Sequence, residues 1–99
     1  MSIFVISFRI KEDSTYQERY DSLVERIKKN ATGSTWEETT SFFLIESTSS
    51  SSELCNDLYH NSKIIDSKDV LLVVNLSQKG YAQKGAPYPN TLDSLMQKR

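Results

Sequence analysis

The run Thr39 to Ser47, Thr-Thr-Ser-Phe-Phe-Leu-Ile-Glu-Ser, packs two aromatic and two aliphatic residues into a segment too short for a stable helix. It reads as a strand, and as the most deeply buried one in the chain. Side chains alternate across a strand, so Phe42, Leu44 and Glu46 fall on one face and Phe43 and Ile45 on the other. Residues 2 to 10 have the same character. Phe4, Ile6, Phe8 and Ile10 form a wholly apolar face that must be covered by helices, while Ile3, Val5, Ser7 and Arg9 share the opposite face.

Between these strands, Tyr16, Tyr20, Leu23, Val24 and Ile27 recur at helical spacing through Lys29. They predict an amphipathic helix laid on the sheet, opened by Asp13 or Ser14 as a cap and carrying Glu18, Arg19, Glu25, Arg26, Lys28 and Lys29 on its outer face. Asn30-Ala31-Thr32-Gly33 ends it, with Asn30 or Gly33 able to take a left-handed conformation. Ser34 to Glu38 predicts a short second strand. Ser47 to Ser52 is a loop running into a helix cap at Ser50 or Ser51, ahead of a second helix whose Leu54, Leu58, Cys55 and Tyr59 turn inward. Val70 to Leu76 is the strongest strand signal, and its unbroken apolar run predicts burial on both faces. From Ser77 the character changes. Gly80, Gly85, Pro87 and Pro89 argue against regular interior structure, yet Tyr81, Tyr88, Leu92, Leu95 and Met96 are too apolar for a solvated tail. A last short helix capped by Asn90 is expected there.

Strand, helix, strand, strand, helix, strand is the order of an α+β, ferredoxin-like βαββαβ fold, an antiparallel sheet with both helices on one face. The expected organisation is a ferredoxin-like domain over residues 1–78 and a C-terminal extension over 79–99 that docks on its own or a partner subunit. The uncovered sheet face, with Ile3, Val5 and Phe42 or Phe43, makes a face-to-face homodimer the economical arrangement.

Composition narrows the functional classes. Twelve Lys and Arg against 13 Asp and Glu give a net charge of −1, so no long-range field gathers polyanions, and nucleic-acid binding would need a local basic patch. Lys63, Lys68, Lys79 and Lys84 together with Lys28 and Lys29 are the candidates for such a rim. One cysteine, Cys55, and one histidine, His60, cannot form an internal disulfide or a Cys/His zinc site. A reducing, cytoplasmic setting is expected. The apolar runs fall far short of the roughly 20 residues that cross a bilayer, so no membrane partner is expected.

Three segments together resemble the small CRISPR-associated Cas-two family and its VapD-type toxin branch. They are the opening strand Ile3 to Ile10, the Ser41-Phe42-Phe43 triplet, and Asp66-Ser67-Lys68-Asp69-Val70-Leu71-Leu72-Val73, which is similar to that family's Asp-x-Asp-x-Leu-x-Val pattern ahead of the fourth strand. The resemblance covers about residues 2 to 78. It implies a homodimer contacting nucleic acid and, in some members, a metal-dependent phosphodiesterase whose aspartate at the end of the first strand holds a divalent cation. Here Phe8-Arg9 stands at that position, and a guanidinium repels a cation. The expectation is therefore a non-catalytic module with no cofactor and no metal, binding nucleic acid or another protein through Arg9, Ser7, Ser41 and Trp36. Two alternatives stand beside it. One is a VapD-like, Mg-dependent endoribonuclease using Glu12 or Asp13. The other is a protein-directed regulator or inhibitor with no nucleic-acid role, its contact surface formed by Trp36 and the tyrosine-bearing tail.

Overall fold

The computed structural model describes residues 1–99. Five strands and three helices alternate as β1 (Ser2–Arg9), α1 (Tyr16–Asn30), β2 (Thr35–Trp36), β3 (Phe42–Ser47), α2 (Ser51–His60), β4 (Val70–Asn75), β5 (Tyr81–Lys84) and α3 (Pro89–Gln97). The strands form one mixed-order sheet, β2-β3-β1-β4-β5, in which every neighbouring pair is antiparallel. This is an α+β architecture.

The alternation in β1 decides which side the helices cover. Phe4, Ile6, Phe8 and Ile10 are all buried, joined by Phe43 and Ile45 from β3 and by Leu71 and Val73 from β4. Leu23 and Ile27 of α1 and Leu54, Cys55 and Leu58 of α2 close the same core. Aromatic contacts add directionality: Phe8 meets Tyr20 edge-on at 5.7 Å and stacks on Phe43 at 6.2 Å. Burial pushes the Cys55 thiol up to about 11, so it serves as a small core residue.

Several expectations need correction. The run from Thr39 is shorter as a strand than expected and is not the centre of the sheet: β3 begins only at Phe42, because Ser41 adopts a left-handed conformation (φ 55°), and the central strand is β1, paired on both edges. Nor is β4 buried on both faces. Leu71, Val73 and Asn75 point into the core, while Val70, Leu72 and Val74 are only half-buried on the side away from α1 and α2. An apolar run fits both situations, and periodicity alone does not separate them.

Neither Asn30 nor Gly33 is left-handed; α1 ends through an extended Ala31. Its N-cap is Thr15, with no side-chain cap bond, and Asp13 instead accepts from the Thr15 amide at 2.9 Å. The second helix starts as expected with a capping box, in which Ser50 Oγ accepts from the Glu53 amide (3.1 Å) and Glu53 accepts from the Ser50 amide (2.9 Å). The tail holds more regular structure than its glycines and prolines suggested. Residues Tyr81–Lys84 add a fifth strand beside β4, and α3 begins after a left-handed Tyr88 (φ 52°) with Asn90 inside the helix.

Arg19 is the largest departure. Expected on the outer face of α1, it is 2% exposed, and its partner Asp69 is equally buried. The guanidinium donates to Asp69, to Asp13 (2.7 Å), to the Lys11 carbonyl (2.8 Å) and to Thr15 Oγ1 (3.0 Å). Asp69 also accepts from the amides of Lys11 (3.0 Å) and Ile65 (2.9 Å). One ion cluster thus ties the end of β1, the start of α1 and the loop before β4 together.

Candidate interaction surface

The sheet face opposite α1 and α2 is covered by neither of them. Strand register builds it: Trp36 lies opposite Leu44, Leu44 opposite Val5, Val5 opposite Val74, and Val74 opposite Tyr81. An apolar or aromatic side chain therefore stands at every position of a row crossing all five strands. Cross-strand neighbours on one face lie close enough to touch. Ile3 and Trp36 are 40% and 45% exposed, and Val5, Leu44 and Val74 are half-buried. Contiguous apolar surface of this kind on a small chain marks an interaction site.

The row is flanked by two shallow grooves. One, of about 470 Å³, is walled by Trp36 with Ile3, Leu44 and Glu46 around it. The other, of about 220 Å³, lies among Ser7, Arg9, Val70, Leu72 and Pro87. Trp36 is braced edge-on by Phe42 at 6.1 Å. At the far edge the Tyr81 hydroxyl donates to Asp93 of α3 at 2.7 Å, and the Arg99 guanidinium sits 6.0 Å from the ring. Asp93 raises the Tyr81 phenol above its usual value by accepting that proton.

Of the four residues expected to bind a partner, Arg9, Ser7 and Trp36 share this open face. Ser41 sits at its end, where its carbonyl accepts from the Phe8 amide at 3.1 Å and prolongs the β1–β3 ladder. Arg9 is exposed and enters none of the chain's ion pairs, with Glu12, Asp13 and Glu46 included among the partners it lacks. Val5 was expected on the dimer face and Tyr81 in the tail's contact surface, but Leu44 and Val74 had no place in either. Their signal was legible in the alternation, but it required knowing that β4 is bare on one side and that Tyr81 stands in a strand.

The alternative pair, Glu12 and Asp13, lies apart from that face. Lys68 and Arg19, with the Thr15 amide, hold the Asp13 carboxyl far below the ordinary carboxylate range. Glu12 is exposed. No three of the chain's His, Cys, Asp and Glu side chains come together in a metal-holding group. The lysines expected to form a basic rim are largely paired with acids: Lys63 with Glu18, Lys68 with Asp13, Lys28 with Glu37 and Lys29 with Glu25. Lys84 lies over the Tyr59 ring at 5.4 Å. His60 ends α2 exposed to solvent.

No family model, no curated protein and no solved structure matches this chain. No helix is long and apolar enough to cross a membrane.

Proposed function

We propose that the chain is a non-catalytic, ferredoxin-like interaction module of the Cas-two-like kind, which pairs with a second copy through its open sheet face. The carrying observation is the apolar row from Trp36 through Leu44, Val5 and Val74 to Tyr81, on the face opposite α1 and α2 and met by α3 only at its Tyr81 end. Five strands spaced about 4.8 Å apart and up to eight residues long give a face of roughly 500 Å². Two copies would then bury roughly 1,000 Å², the lower end of what a specific interface needs. A weak, concentration-dependent dimer is the expectation for an interface of that size.

Arg9 and Ser7, at one end of that face and without an acidic partner, are the residues assigned to a further acidic ligand, either a nucleic-acid phosphate or a carboxylate-bearing protein. Pairing of the lysines with acids supports a protein-directed role or a contact limited to Arg9 rather than a broad polyanion surface. Sedimentation equilibrium from about 1 to 500 μM tests the dimer against the interface size argued above. Wild type should self-associate, and Leu44→Lys, which places a charge in the row without entering the core, should stay monomeric. A wild-type monomer across the whole range would refute the reading. Incubating labelled RNA with Mg²⁺, with Asp13→Ala as control, addresses the nuclease alternative, and cleavage abolished by that change would replace the proposal.

A further inference from the structure

At the end of the sheet away from Arg9, a polar hollow of about 450 Å³ opens between the start of β1, the end of β4 and the first turn of α2. Met1 is the one hydrophobic residue at its rim, and serines and amides form most of the wall. The first amides of a helix have no intrahelical acceptors. In α2 the capping box occupies the Glu53 amide, and the Leu54 amide bonds the Ser50 carbonyl, which leaves the amide of Ser51, at the hollow's wall, without an intrachain acceptor.

Two buried side chains from different elements add donors there. Asn75, 6% exposed at the end of β4, uses Oδ1 to accept from the amides of Ser77 (2.8 Å) and Gln78 (2.9 Å). Those bonds fix the amide orientation and leave Nδ2 with no partner in the chain. Ser51, 7% exposed, has a hydroxyl that likewise bonds nothing in the protein. Both residues line the hollow, and no sealed side-chain polar atom lacks a partner, so these two groups reach the open space. Gly80 keeps that space open, because a Cβ at its position would lie 2.5 Å from Ser51 Oγ. Polar side chains this deeply set are normally hydrogen-bonded, so both donors are free to serve whatever acceptor enters the hollow.

We propose that this hollow binds a phosphate group, held by the Ser51 amide, Ser51 Oγ and Asn75 Nδ2. Donors converging on a helix N-terminus suit an oxyanion in charge and geometry. Glu53 opposes it: one carboxylate oxygen is occupied by the Ser50 amide, yet its charge lies at the same helix end. Binding is therefore weak in the wild type and should tighten when that charge is removed. The site is independent of the sheet-face dimer, since it sits at the opposite end of β1 and on the helix-covered side.

The test is a ¹⁵N–¹H correlation titration of the full chain with inorganic phosphate at constant ionic strength. The Ser51 amide and the Asn75 side-chain amide should shift saturably, with half-saturation at about 1 mM. Glu53→Gln, which retains the capping box, should lower that midpoint severalfold. Asn75→Asp, which keeps the oxygen that accepts from Ser77 and Gln78 but replaces the free donor by a carboxylate oxygen, should raise it tenfold or more. Ser51→Ala provides the same reading at smaller amplitude should Asn75→Asp not fold. A second arm with a nucleoside 5′-monophosphate separates a nucleotide phosphate, bound tighter than the inorganic ion, from a free phosphate, bound equally. Absence of saturable shifts to about 20 mM phosphate in both wild type and Glu53→Gln overturns the proposal. So does equal binding by wild type, Asn75→Asp and Ser51→Ala.

Discussion

Replacing Asp69 by Asn removes one charge from the cluster that joins β1, α1 and the loop before β4. The carboxylate accepts from the Arg19 guanidinium and from the Lys11 and Ile65 amides, so its two oxygens serve three donors. An Asn side chain keeps one acceptor and turns an NH₂ group toward at least one of those donors. Both Asp69 and Arg19 are 2% exposed, and water has little access to the guanidinium left behind. Breaking a buried pair from one side costs about 3–5 kcal/mol, against a total stability of about 5–15 kcal/mol for a domain this size. With a urea slope of about 1.5 kcal/mol per M, the unfolding midpoint should fall by roughly 2–3 M, followed by far-UV circular dichroism. Adding Arg19→Met should recover part of the loss, because the guanidinium, otherwise left to share Asp13 with Lys68, is then gone. A loss below about 1 kcal/mol for Asp69→Asn would refute the argument, by showing that solvent reaches the guanidinium as it reaches a surface pair.

Acid should unfold the chain through the same carboxylates. Burial alone would raise the Asp69 carboxyl, but Arg19 and the Ile65 and Lys11 amides outweigh it and hold it below the ordinary value of 3.8. Arg26, helped by Asn30 and Asn61, lowers Asp57 to about 2. A carboxyl depressed in the folded state stabilises fully above its unfolded pKa and loses that contribution as pH falls through the folded one. Stability measured by urea titration should therefore be flat above about pH 5 and drop between roughly pH 4 and pH 2, and a flat profile down to pH 2 would contradict these assignments. Gly85 offers a geometric test. Its φ is +71°, and an added Cβ would strike the Asp69 carbonyl oxygen and come within 2.6 Å of the Asp66 one. Gly85→Ala should cost more than the ~1–2 kcal/mol of a left-handed residue alone and should raise amide exchange along β5; exchange confined to its wild-type rate would show that the strand does not depend on this contact.

What could be read from the sequence was the part governed by local periodicity. The Phe4–Ile10 alternation, the Tyr16–Ile27 helical stripe and the Ser50–Glu53 box each depend on neighbours within a few residues, and each stands where expected. What escaped depended on distant partners. Arg19 looked like one more exposed charge because its burial is set by Asp69, fifty positions away. The exposure of Leu72 and Val74 follows from the absence of a third layer, which no pattern inside β4 reports. Tyr81–Lys84 became a strand because β4 presented an edge to pair with, despite Gly80 and Gly85 at either side. Among the candidate site residues the same division holds: Arg9, Ser7 and Trp36 were placed on one face by alternation, and Asp13 was not recognised as the partner of two cations.

The buried cluster and the open face are linked through register. Asp69 immediately precedes β4, and its bond to the Lys11 amide anchors the beginning of that strand beside the end of β1, where Arg9 lies opposite Val70. Strand faces alternate with a period of two, so a slip of one residue would turn Leu71 and Val73 outward and bring Val70, Leu72 and Val74 against the helices. The apolar run of β4 tolerates either placement, since every residue from Val70 to Val74 is aliphatic and hydrophobicity alone does not choose between them. An ion cluster with fixed donors and acceptors does choose, because its geometry is satisfied in one register only. Val74 is thereby held between Val5 and Tyr81, and the row on which the proposed dimer depends is continuous. Loss of the cluster should then weaken self-association even where the chain remains folded, although Arg19 and Asp69 lie on the side of the sheet away from the partner.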